Sequence, residues 1–267
     1  MNEQLDLKNI IHNHHRFRDA LIENQNTIHN AILKSGKPYS GQYLLNFYKK
    51  VNAIKDSIIQ VLEVDNIYPA FILYRSLIEH YFKFYYGYMI FIIEDNDQLG
   101  EKFISDLWLA EFLDTEMKNL VIDEILTAAP ITGKFEKILL KHPDLGIPSD
   151  YNKTKVEEEK EKFSFLSTVE YCLKNKELDD IEMEETYRFL IKLFHEYNHY
   201  ATFVHGGPST DIITNEIKND LRNSQEYNSI FSSVYITADL LSFYLRNFLV
   251  SIEKSLDKIL PVTRRPL

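Results

Sequence analysis

Residues 195–207, HEYNHYATFVHGG, place three imidazoles and a carboxylate within eleven positions, His195 to His205. Two histidines at i and i+4 share one helix face and can hold one zinc ion. Glu196 could then activate a bound water, and His205 could complete the ligand set. A second chemically capable group, Arg75, Glu79 and His80, lies inside the apolar run YRSLIEHYFKFYY. A guanidinium on a mostly buried helix needs acceptors for its five donors, and Glu79, one turn on, is the nearest. Loss of Glu79 from such a desolvated pair would cost about 3–5 kcal/mol. Arg before Glu is the weaker order for an exposed pair, so the two serve either as an internal clasp or as half of a site. Arg188, Lys192, His195 and His199 run along the polar border of another helical stretch, so both histidines point the same way. His12 to Arg16, HNHHR, could also ligate a metal, but a polar N-terminal helix displays such residues to water.

The elements that must position these residues are helices. Only 8 Gly and 8 Pro are spread over 267 residues, too few for the turn-dense wiring of a sandwich or barrel. Apolar residues at three- and four-residue intervals predict helices over 5–34, 40–63, 69–93, 101–126, 156–173, 186–203 and 215–260. The expected fold is all-α, an irregular bundle of six to eight helices, with the apolar Arg75 helix at its centre. Ile67, Ala70, Phe71, Tyr74, Leu77, Ile78, Tyr81, Phe82 and Tyr85 trace one face of that helix, and Ile72 and Leu73 extend the apolar surface around it. Residues 1–267 read as one helical domain, and the loop-like KHPDLGIPSDYNK supplies the only credible internal boundary, at 142–154.

A net charge of −10 sets a repulsive field toward phosphate backbones, so broad capture of nucleic acid is disfavoured and only a local basic cleft would serve. The single Cys172 excludes an intramolecular disulfide and a Cys-rich zinc site. No signal-like segment opens the chain, which favours the cytoplasm. Arg75, Glu79, His80 and Lys83 would be costly in lipid, so the most apolar helix is expected in a protein core and not in a membrane.

Three resemblances follow from these stretches. YRSLIEHYFKFYY followed far downstream by YNHYATFVHGG resembles a bacterial helical family of unknown function that carries Arg-x3-Glu on a central helix and a Val-His-Gly turn after another. That likeness spans 66–207, matches well only in the two stretches, and has Ala201 where the family has Ser; it implies that Arg75, Glu79 and His205 are the characteristic residues. Because a desolvated guanidinium needs acceptors and the Val-His-Gly turn is the other distinctive polar element, the three are expected in one cluster. RSLIEH, an Arg-x4-His, resembles the HEPN superfamily, whose metal-independent ribonucleases and toxins use the Arg on phosphate and the His on the 2′-hydroxyl proton. Arg188 and His195, with Tyr197 two beyond the His, make a second such spelling, though Phe189 stands where that superfamily favours a polar residue. HEYNHYATFVH is similar to the metzincin signature but has Thr202 in place of its turning Gly and no Met after Met183.

The expectation is a HEPN-like helical effector, a metal-independent endoribonuclease or toxin-type protein of phage defence. It would use Arg75, Glu79, His199 and His205, or the rival pair Arg188 and His195, with no cofactor and no metal. Its partners would be an RNA substrate and a protein partner or second copy. One alternative is a non-catalytic protein-binding module; another is a zinc-dependent hydrolase with His195, His199 and His205 as ligands.

Overall fold

Pro38 lacks an N–H that a first helical turn would leave unpaired anyway, and it opens a long helix, Pro38–Glu63, whose Leu44, Phe47, Val51, Ile58 and Leu62 turn inward. The same logic, an apolar stripe with a local start signal, builds the whole molecule. The computed structural model describes residues 7–93, 95, 97–148, 151–174, 181–204 and 225–263. Within them the chain forms α1 (Leu7–Glu23), α2 (Gln25–Lys34), α3 (Pro38–Glu63), α4 (Ile67–Ile93), α5 (Asp97–Thr127), α6 (Lys134–Lys141), α7 (Lys153–Lys162), α8 (Phe165–Lys174), α9 (Ile181–Val204) and α10 (Gln225–Ile252). Short 3-10 turns follow at Pro143–Leu145 and Lys254–Lys258, and no strand occurs among the described residues. The fold is all-α.

The ten helices among the described residues exceed the expected six to eight because side chains break two predicted segments and one further helix, α6, was not anticipated. Asn24 ends α1 by turning its side-chain amide onto the Ala20 carbonyl at 2.9 Å. Ser164 ends α7 and starts α8, its hydroxyl accepting the Ser167 N–H at 3.2 Å as a helix cap does. Gly133, left-handed at φ 61°, lets the chain turn into the short α6. The predicted last helix is present over its described part, Gln225–Ile252, and ends before the expected 260; its stretch 215–224 lies outside the described residues.

α4 packs against α3, α5, α8, α9 and α10. Its predicted inner face is buried from Ala70 to Tyr85, but Ile72 is exposed and Arg75 half-exposed, so one side of the helix reaches the surface. Asp97, the first residue of α5, ties that helix to α3 by accepting the Tyr39 and Ser40 N–H groups at 3.0 and 2.7 Å, a carboxylate at the positive end of a helix. Beyond this joint α5 leaves the main core and builds a second, small one with α6 and α7 from Ala110, Leu113, Ile138 and Val156. None of the described helices is long and apolar enough to cross a membrane.

Candidate functional site

The α4–α9 contact brings most of the singled-out residues to one region and gives them partners that their spacing did not suggest. Phe71 stacks on Tyr200 at 4.8 Å, and Tyr74 meets the same ring edge-on at 5.6 Å. Beside them the buried Tyr74 hydroxyl donates to Glu196 at 2.5 Å. Burial first, and then the Glu196 carboxylate, hold that phenol well above its ordinary pKa, so it remains a donor. Lys192 lies 3.7 Å from Glu196 and donates to Ser233 of α10 at 3.0 Å. Glu196 is therefore held in a three-helix clasp, while His195 and His199 project from the exposed side of α9, the latter with its ring 4.9 Å from Tyr200. Arg188 is exposed on the same helix. No group of three His, Cys, Asp or Glu side chains that could hold a metal occurs among the described residues.

Arg75 does not pair with Glu79. Its Nη2 donates to the Tyr197 hydroxyl at 2.7 Å, and its guanidinium carbon lies 4.5 Å from the centre of that ring. The ring is in turn stacked on Phe165 of α8 at 3.8 Å. Glu79 instead sits 3.4 Å from Lys83, a Glu-before-Lys pair at i,i+4, which is the favourable order on a helix. A phenol and a ring face from α9 thus take the place of the expected carboxylate. Glu79→Ala should accordingly cost about 1 kcal/mol, since the pair is only partly buried and Arg75 does not depend on it, and not the several kcal/mol of a fully buried pair. A thermal melt separates the two outcomes.

Two further expectations concern histidines. His80, the second residue of the Arg-x4-His spelling, bonds the Ser76 carbonyl through Nδ1 at 2.8 Å and lies 6.1 Å from the Phe47 ring of α3. Five residues rotate a helix position by roughly 140°, so Arg75 turns to α9 and His80 to α3, and the spelling does not assemble one site. Burial lowers the His80 pKa. His205 and its Val-His-Gly turn lie outside the described residues, and with them the expected cluster of Arg75, Glu79 and His205.

One buried polar group was not anticipated. His14, expected at the surface, is fully buried between Ile10 and Phe17 on the apolar face of α1. Its Nδ1 lies 3.2 Å from Ser242 Oγ of α10, which also meets the Tyr48 hydroxyl of α3 at 3.3 Å. Lys55, also buried, reaches Asp56 at 2.8 Å. Asp239 is buried with no hydrogen-bond partner for Oδ1, and His14 Nε2 and Asn52 Oδ1 likewise have none. Burial foremost, with the Lys55 charge second, holds the His14 pKa near 3, and burial pushes Asp239 up to about 7. The i, i+4, i+7 spacing of Ile10, His14 and Phe17 could have disclosed His14; nothing local marks Asp239.

A cavity of about 390 Å³ lies elsewhere, between α4, α5, α7 and α8, walled by Tyr86, Phe91, Phe103, Phe163 and Tyr171 with Lys102 at its edge. None of the residues singled out from the sequence lines it. The chemistry the α4–α9 region can offer centres on Arg75: a half-buried cation with no carboxylate within ion-pair distance among the described residues, backed by stacked rings. Compared with models of known families, with characterised proteins and with solved structures, the chain matches none.

Proposed function

We propose that the protein is a HEPN-like helical effector that cleaves RNA without a metal ion, in the manner of a toxin-type endoribonuclease of phage defence. The observation that carries this reading is the uncompensated Arg75 guanidinium, fixed by Tyr197 and left with donors for an anion. A phosphodiester is the anion that best uses a planar guanidinium. In this reading Arg75 stabilises charge on the phosphate, and His199 with His205 carries the protons: one takes the 2′-hydroxyl proton as that oxygen attacks phosphorus, and the other protonates the departing 5′-oxygen, leaving a 2′,3′-cyclic phosphate.

The test is cleavage of single-stranded RNA in excess EDTA. Expected are a cyclic-phosphate product and toxicity on expression. Arg75→Ala should lower the rate by about 10²–10³-fold, the usual loss for a preorganised charge-stabilising donor, and His205→Ala should do likewise. Loss of cleavage in Arg188→Ala and His195→Ala with Arg75→Ala unaffected would move the site to the rival pair. No cleavage of any RNA, or cleavage abolished by EDTA, would overturn the reading.

A further inference from the structure

α5 is apolar on two opposite sides, and only one of them is covered. Phe103, Ala110 and Leu113 are buried against the rest of the chain, with Leu109, Met117 and Leu120 packed beside the small core. Roughly half a turn away, Ile104, Trp108, Ile122 and Leu126 are 37, 55, 52 and 77% exposed. Glu111, Thr115 and Asn119 lie between them on the same exposed stripe. The stripe is symmetric about Thr115. From either end it reads apolar, apolar, polar, Thr, and the intervals run 4, 3, 4, 4, 3, 4 along 104, 108, 111, 115, 119, 122 and 126. A two-fold interface requires this kind of self-complementary patch, in which residue i meets j and j meets i.

We propose that two copies of this chain pair through α5, antiparallel, about a two-fold axis at Thr115. Ile104 then packs on the partner's Leu126, Trp108 on the partner's Ile122, and Glu111 lies beside the partner's Asn119. Thr115, whose hydroxyl is already bonded to the Glu111 carbonyl at 2.8 Å, is small enough at the axis for helices to approach to about 8–10 Å. Charge agrees with the pattern. Glu111 and Lys118 sit on the same flank of the stripe, and same-flank residues face each other across an antiparallel pair. Glu111 has no ion pair among the described residues. Lys118 rests on Asp114 at 2.8 Å, and Asp114 keeps Lys160 at 2.6 Å if Lys118 swings across. Two Glu111–Lys118 pairs form by symmetry. A stripe of about 33 Å by one helix width covers roughly 330 Å² per copy, below the ~800 Å² of a standard stable interface, so the dimer is reversible and weak.

Trp108, the only tryptophan, reports on this surface directly. Sedimentation equilibrium from micromolar to near-millimolar chain should show a shift from one chain to two, accompanied by a blue shift of Trp108 emission. Ile122→Glu, at an exposed position, should abolish both without changing the thermal melt. Glu111→Cys mixed with Asn119→Cys should give the mixed disulfide in preference to either homodimer, since the native Cys172 is buried with its thiol pKa pushed far up by burial. A monomer at every concentration, a dimer indifferent to Ile122→Glu, homodisulfides in preference to the mixed one, or a Trp108 shift seen only with a different protein bound would each overturn the pairing. None of these readouts depends on RNA cleavage.

Discussion

Replacing Gly87 by alanine will destabilise the protein by about 3 kcal/mol or more, at the upper end of what a single added methyl group does in a packed core. A Cβ at position 87 would fall 2.1 Å from Cε1 of Tyr43, 2.8 Å from Cδ1 and 2.9 Å from Cζ. The ring is held in place on several sides. Tyr43 is buried, its hydroxyl donates to the Lys83 carbonyl one turn away on α4, and its faces and edges meet Phe47, Phe91 and Phe103 at 4.7, 5.5 and 4.6 Å. Alanine's better helix propensity, about 1 kcal/mol, offsets only part of that clash. Gly36, with nothing within 4 Å of its added Cβ, is the control and should tolerate alanine. Denaturant unfolding of both variants checks this; a Gly87→Ala midpoint equal to wild type would mean that the α3–α4 contact is looser than these distances imply.

Asp239→Asn should stabilise the protein above pH 7 and do little at the acid end. In the unfolded chain the carboxyl ionises near 3.8, whereas burial in the fold holds it to about 7. Between those values the folded state keeps a proton that the unfolded state has lost. Stability from the protonated acid is therefore complete below pH 3.8 and is lost as pH rises through 7. Above that, a buried carboxylate costs up to about 4 kcal/mol, which asparagine avoids at nearly the same shape.

His14 acts in the opposite sense. Its pKa falls from 6.5 to about 3 on folding, so its contribution is complete above pH 6.5 and is lost as pH falls through 3. The two slopes oppose each other between pH 3.8 and 6.5. In Asp239→Asn the His14 slope stands alone, and stability should climb with pH across that window. Chemical denaturation of both proteins across the range gives the answer, and a pH-independent difference between them would sink the idea.

Helix formation and the inward faces were determined by the sequence itself. Periodicity is a local property: the stripe from Ile67 to Tyr85, the inward residues of α3 and the placing of Pro69 in the first turn of α4 need no knowledge of what lies opposite. The helix breaks at Asn24 and Ser164 are local too, each made by a side chain bonding its own backbone, and were missed because a polar residue within a periodic run does not by itself distinguish a cap from a surface position.

Partner choice was decided only by tertiary structure. Arg75 has Glu79 one turn away, yet it bonds Tyr197, 122 residues distant, because the α4–α9 crossing presents a ring and a hydroxyl where its long side chain points. Glu196 reads as a zinc protease base beside two histidines, but Tyr74 and Lys192 hold it in the helix junction. Asp239 and Gly87 matter for what α1 and α3 bring against the helices that carry them, which no spacing along the chain encodes. A helix rotates its residues by roughly 100° each, so neighbours in sequence are sent to different partners, and which partners those are depends on helices folded from remote parts of the chain.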